Sequence, residues 1–123
     1  WASTKKLPIL FVVEDNNLSI LTEKKVRRNW EMHDVAQGMH VKSFNISDDP
    51  LEINEHLQNV FNYPILLNIN TIRKYWHAGA GTDGENFDRY EKELSYFGDA
   101  GIEIDKFNKN LVLEAWQRQL EKQ

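Results

Sequence analysis

Leu7-Pro8-Ile9-Leu10-Phe11-Val12-Val13-Glu14-Asp15-Asn16-Asn17 is the stretch whose reading decides the fold. Residues 7–13 form a dense apolar run that ends in two β-branched valines, and four polar residues close it. An apolar run of this length, bounded by turn-forming residues, predicts a strand buried on both faces with a loop at its carboxyl end. Such a strand normally lies inside a sheet, and two or three strands are too few to hide it from both sides. Only residues 1–6 precede it. The expectation is therefore that residues 1–123 are the C-terminal portion of one domain, with upstream strands missing and no second domain.

Working outward, residues 41–46 make a weaker strand pattern and residues 64–72 (PILLNINTI) a strong one. The segment between them is marked as a helix. Asp49 suits the cap, Pro50 the first helical position, and Glu52 stands at capping-box spacing. Ile53, Leu57, Val60 and Phe61 then recur at helical spacing. Residues 87–97 and 104–120 read as two further helices. In the second, Ile104, Phe107, Leu111 and Ala115 share one stripe, with Val112, Trp116 and Leu120 in a neighbouring row, which predicts a wide buried face. Residues 22–36 are highly charged, with Val26 and Trp30 as the clear apolar positions, and both helix and ordered loop stay open. Strand, helix and strand in this order imply parallel pairing through a right-handed crossover. The class is α/β, a parallel sheet with helices on both faces.

Composition excludes more than it identifies. A chain of 123 residues is about one small domain. The net charge of −4 and the scatter of Lys and Arg among acids leave no basic stripe for nucleic acid or a membrane surface. The lack of cysteine excludes disulfides, thiolate metal sites and a thiol nucleophile. No apolar run is long enough to span a bilayer and none resembles a signal peptide, so a soluble cytoplasmic protein is expected. A GxxxxGK or HExxH motif is absent.

In open α/β sheets, ligands sit beyond the carboxyl ends of strands, and two places fit. The first is Glu14-Asp15-Asn16-Asn17-Leu18-Ser19 after the first strand. Mg²⁺ takes carboxylate, amide and backbone oxygens, which such a loop offers; Asp and Asn also simply make good turns. The second is the run from Arg73 to Gly84, with Arg73, Lys74 and His77 followed by Gly79, Gly81 and Gly84. Cations and flexible backbone suit an anionic ligand, and they equally suit a solvated surface loop. His33, His40 and His56 show no ligand spacing, and Trp30, Phe61, Phe107 and Trp116 read as core or interface.

The run from Leu7 to Asn16 resembles the LPxxFxxENN stretch that ends the thiamine-diphosphate motif in alpha subunits of the pyruvate and branched-chain 2-oxo-acid dehydrogenases. Gly38-Met39-His40-Val41 resembles that family's lead-in to its next strand. Pro64 to Arg73 resembles PxLxExxTYR, and His77 stands where the family carries the histidine of its HGHS loop. The pieces come in family order over most of residues 2–84, and residues 78–90 resemble bacterial forms in which alpha and beta regions are fused.

The resemblance implies a thiamine-diphosphate-binding fold, with thiamine diphosphate and Mg²⁺ as cofactors. It implies Asn16 and the Leu18 carbonyl as metal and cofactor contacts, and His77 as both a cofactor contact and the catalytic loop histidine. The implied activity is oxidative decarboxylation of a 2-oxo acid with acyl transfer to a lipoyl group, the isolated fragment being inactive. Implied partners are a beta-type region completing the site, a lipoyl-bearing acyltransferase component and the upstream part of the same domain. They would form a heterotetramer or a fused dimer. A transketolase-like thiamine-diphosphate enzyme and a degenerate, non-catalytic interaction module of the same fold are the alternatives. The chain departs from the family at Asp15, which replaces the first asparagine of the pair, at Asn17-Leu18, and in Tyr75-Trp76-His77-Ala78-Gly79-Ala80-Gly81, where no serine follows the histidine. The family's GDG, whose Asp is the other side-chain metal ligand, is not among these residues.

Overall fold

The structure, a computed structural model, describes residues 1–58, 63–82 and 87–122. The chain divides into two compact units, Trp1–Phe87 and Asp88–Gln123.

In the first unit, β1 (Leu10–Asp15), β4 (Lys42–Ser47) and β5 (Ile65–Asn70) form a parallel sheet in the order β1-β5-β4. A second, two-stranded antiparallel ribbon joins β2 (Leu18–Ser19) to β3 (Thr22–Glu23). The helices are α1 (Ala2–Lys5), α2 (Lys24–Arg27), α3 (Met32–Gly38) and α4 (Pro50–Leu57). β5 is the central strand. Its Ile65, Leu66, Leu67, Asn68 and Ile69 are all buried, as a strand paired on both sides requires. The apolar run at residues 7–13 is an edge strand instead, with Phe11 40% and Val12 52% exposed. It also starts later and ends later than its apolar pattern. Pro8 has no N–H to donate to a ladder, and the Ile9 N–H turns back to the Leu7 carbonyl at 2.9 Å.

The register assigns the faces, because residues paired across parallel strands share a side. Leu10, Val12, Phe44, Ile46, Ile65, Leu67 and Ile69 share one face. Ile53 and Leu57 of α4 pack on its core, together with Leu10, Phe44 and Tyr63. Leu66 and Ser43 lie on the other face, under α3. The Ser43 hydroxyl donates to the His33 carbonyl at 2.6 Å, and Ala36 is buried. Towards the carboxyl ends this face turns polar. Asn68, fully buried, donates to Asn45 Oδ1 at 2.9 Å, and Asn70 donates to the same oxygen at 2.9 Å.

The start of α4 departs in one detail from its sequence pattern. Asp49 caps the helix as expected, accepting the Leu51 N–H at 2.9 Å, and Pro50 takes the first position. Glu52 does not complete a capping box. Its carboxylate accepts the Ser47 N–H at 3.1 Å and the Ser47 hydroxyl, which ties the helix to the end of β4. Val60 and Phe61 lie outside the described residues.

The second unit is α5 (Arg89–Leu120), broken at Gly98 where φ is 56° and ψ is −137°. Tyr90 bonds to Asp105, fifteen residues on. A straight helix would hold those residues roughly 22 Å apart, so the chain folds back on itself as a helical hairpin. Gly98 supplies the left-handed turn, and Gly101 is the other residue the hairpin needs. A Cβ there would stand 2.9 Å from Phe97 Cβ. Helix thus replaces the expected gap between residues 97 and 104. The wide face read from the sequence is not buried: Ile104, Phe107 and Trp116 are 61%, 62% and 66% exposed.

Lys109 lies 2.8 Å from Asp105 and 5.6 Å from the Tyr90 ring centre. The Lys109 hydrogen bond, followed by that of Tyr90, holds the Asp105 carboxyl below its ordinary 3.8. Asp105 in turn raises Tyr90 above 10.0 and Lys109 above 10.5. A depressed acid contributes stability above its unfolded pKa and loses it as pH falls through the folded one. Raised Tyr and Lys groups contribute below their unfolded values and lose it as pH rises. The hairpin tie is therefore expected to be constant from about pH 5 to pH 9, to weaken as pH falls through the lowered Asp105 value, and to weaken as pH rises through the raised Tyr90 and Lys109 values. The Tyr90 ring shifts in NMR check this, and a transition near neutrality would refute it. Among the described residues no helix is long and apolar enough to cross a membrane.

Candidate functional site

The first of the two loops grows directly out of β1. Asp15 Oδ1 accepts the Asn17 N–H at 3.0 Å, and Asn16 Oδ1 accepts the Leu18 N–H at 3.0 Å. Two successive Asx turns therefore fold the chain back. Asn17 takes a positive φ of 65°, a conformation Asn tolerates. The Lys24 N–H closes the loop on the Asn17 carbonyl at 2.8 Å. The tip of the β2–β3 ribbon is Ile20 with φ 54°, a costly conformation for a β-branched residue.

A charge network lies behind this loop. Asp15 Oδ2 receives Lys24 Nζ at 2.7 Å and Arg28 Nη2 at 3.2 Å; Lys24 also reaches Glu31 at 2.9 Å. The side chains of Asp15, Arg28 and Lys24 are 7%, 14% and 19% exposed. The Arg28 guanidinium sits over the Trp30 ring, 4.5 Å from its centre. Burial alone pushes the Asp15 carboxyl up. The Lys24 hydrogen bond, the Asn17 amide and the charges of Lys24 and Arg28 together outweigh it, so the group lies below its ordinary pKa. Hydrogen bonds to Asp15 and then Glu31 hold Lys24 above its ordinary value.

The second loop follows β5. The Tyr75–Thr82 bridge and the Trp76 N–H to Gly81 carbonyl bond, 3.1 Å, shape it as a short turn. Its glycines have distinct jobs. Gly79 takes φ 87°, and Gly81 lies flat against Trp76, whose ring a Cβ would approach to 2.7 Å. Gly84 lies outside the described residues. His77 is exposed on this turn and makes no hydrogen bond or ion pair with a described residue.

The two loops meet at one sheet edge. The Thr71 N–H donates to the Asp15 carbonyl at 3.0 Å, and Arg73 Nη1 donates to the Ile20 carbonyl at 2.7 Å. Arg73 thus braces the strained tip of the first loop. Asn16 and Leu18 are brought together by their own hydrogen bond; His77 lies on the neighbouring loop. Lys24, Arg28 and Glu31 were not singled out by the sequence. The one local signal is the four-residue spacing of Lys24 and Arg28.

As a cation site the loop is half a set. Asn16 Oδ1 and the Leu18 carbonyl are hard neutral oxygens of the kind Mg²⁺ takes, and phosphate, carboxylate or water oxygens must complete the octahedron. Asp15 does not readily join them, because its Oδ2 receives two cationic side chains, Lys24 and Arg28, whose charges repel a metal ion there. Among the described residues no three His, Cys, Asp or Glu side chains converge on a metal position. The chain matches no family model, no curated protein and no solved structure in the comparisons made.

Proposed function

We propose that this chain contributes the metal-diphosphate side of a thiamine-diphosphate site in the decarboxylating component of a 2-oxo-acid dehydrogenase. The observation that supports the reading is the bracing of the two loops at the carboxyl edge of a parallel sheet, by Thr71 to Asp15 and Arg73 to Ile20. This edge is where α/β sheets receive their ligands. In this reading Asn16 Oδ1 and the Leu18 carbonyl face Mg²⁺. His77 serves as the catalytic loop residue near the diphosphate. The remaining metal ligands come from the upstream part of the domain. When bound, the cofactor supplies the nucleophilic carbon for decarboxylation of a 2-oxo acid, with acyl transfer to a lipoyl group. The chain's own residues orient the cofactor and neutralise its phosphates. A beta-type region and a lipoyl-bearing acyltransferase are the proposed partners, in a cytoplasmic assembly.

Asn16→Ala in the full-length protein, with its beta-type region present, is expected to weaken Mg²⁺-dependent binding of thiamine diphosphate by about 10–100-fold. Calorimetric titration measures it, and binding equal to that of the unaltered protein would count against the reading. A second reading, an interaction module without a cofactor, is favoured by the exposed apolar residues of α5, among them Phe107 and Trp116. Folded, unaltered protein that binds no cofactor at any Mg²⁺ concentration would select it.

A further inference from the structure

The departure from the family pattern at Asp15 places a carboxylate beside the proposed cation site. Its two oxygens are already committed. Oδ1 holds the Asn17 N–H, and Oδ2 holds Lys24 Nζ at 2.7 Å and Arg28 Nη2 at 3.2 Å. The two cations are shared with Glu31, at 2.9 Å from Lys24 and 3.8 Å from Arg28. Two acids and two bases cancel, so the network adds no net charge beside a bound diphosphate. It also spans the loop: Asp15 stands at one end, and Lys24, whose N–H bonds Asn17, stands at the other. Asn16 and Leu18 lie between these anchors.

We infer that Asp15 is a positioning residue: pinned by Lys24 and Arg28, it holds the Asn16 amide oxygen and the Leu18 carbonyl in place for a divalent cation and does not bind the cation itself. This rests on the diphosphate-site reading above. A ligand role and a positioning role predict opposite responses to loss of Lys24. Were Asp15 a ligand, removing the lysine would free a carboxylate and tighten cation binding. As a positioning residue, Asp15 loses its anchor and the ligand pair drifts apart.

The test is titration of Mn²⁺ with thiamine diphosphate into the full-length protein, followed by the Mn²⁺ electron paramagnetic resonance signal. Hydrogen exchange at the Leu18 amide is measured alongside. Lys24→Met and Asp15→Ala are expected to weaken Mn²⁺ binding by about tenfold or more and to expose the Leu18 amide. Lys24→Arg, which keeps charge and donors, is expected to recover most of the affinity. Arg28→Met serves as the second variant if Lys24→Met does not fold. Tighter or unchanged Mn²⁺ binding in folded Lys24→Met would overturn the assignment and leave the cation site standing. Failure of unaltered protein to bind Mn²⁺, with Asn16→Ala no different, would overturn the cation site and this assignment with it.

Discussion

Leu67→Ala is expected to cost the first unit about 3–5 kcal/mol, the range found for leucines whose loss leaves a cavity. Leu67 is 1% exposed at the middle of the central strand. In register it lies between Val12 and Phe44, with Ile65 and Ile69 beside it in the same core. The residues packed on this core belong to strands or to α4, with Tyr63 just before β5, so little can collapse into the space. For a domain whose whole stability is about 5–15 kcal/mol, that loss is severe. Val12→Ala makes the control. Val12 shares the face of Leu67 but is 52% exposed on the edge strand, and its expected cost is under about 1 kcal/mol, since half its surface never leaves water. Urea unfolding of the two variants compares them. Equal losses would mean that β1 is as enclosed as β5, and the strand order described above would have to give way.

Gly101→Val is expected to open the helical hairpin of the second unit. The added Cβ would stand 2.9 Å from Phe97 Cβ and 3.4 Å from the Leu94 carbonyl oxygen, and neither neighbour is the free end of a flexible chain. Overpacking of this kind costs about 1–3 kcal/mol. A two-helix unit with Ile104, Phe107 and Trp116 exposed has little burial to set against it. The readout is loss of the cross-helix NMR contact between Tyr90 and Asp105. Gly38→Ala is the contrast: its Cβ would meet nothing within 4 Å and its φ is not positive. There alanine is expected to be neutral or to stabilise α3 by up to about 1 kcal/mol, through its helix propensity and the narrower unfolded ensemble. A hairpin intact in Gly101→Val would refute the close approach of the two helices.

The candidate site divides in the same way between what sequence shows and what folding adds. The polar loop after the first strand and the cationic, glycine-bearing loop after β5 were both legible as candidates, because turn formers after apolar runs are local signals. The charge network was not. Lys24, Arg28 and Glu31 fall in residues 22–36, where the charged pattern left helix and loop both open, and nothing local says that Lys24 and Arg28 turn towards Asp15 and share Glu31. Arg73 was visible as a cation, but its bond to the Ile20 carbonyl spans fifty-three positions of sequence. Such a pairing is set by how the sheet brings two strand ends together.

By itself the sequence determined the class of the first unit and the places of its main elements to within a few residues: strands read at residues 41–46 and 64–72 and found at Lys42–Ser47 and Ile65–Asn70, the Asp49-capped helix between them, and parallel pairing. These follow from short-range rules of periodicity, caps and turns, which act within a few residues. It also identified residues 7–13 as strand-forming. Only the tertiary structure decided which strand is central. The runs at residues 7–13 and 64–72 are both continuous and apolar, and a strand's pattern records how it can be buried, not how many neighbours it has in a given chain. Pairing on both sides fell to β5, so Leu67 and Asn68 are sealed while Phe11 and Val12 stand half in water. For the same reason the apolar stripes of α5 show which surface can be buried but not whether anything covers it. Burial depends on long-range partners, and a local pattern cannot name them.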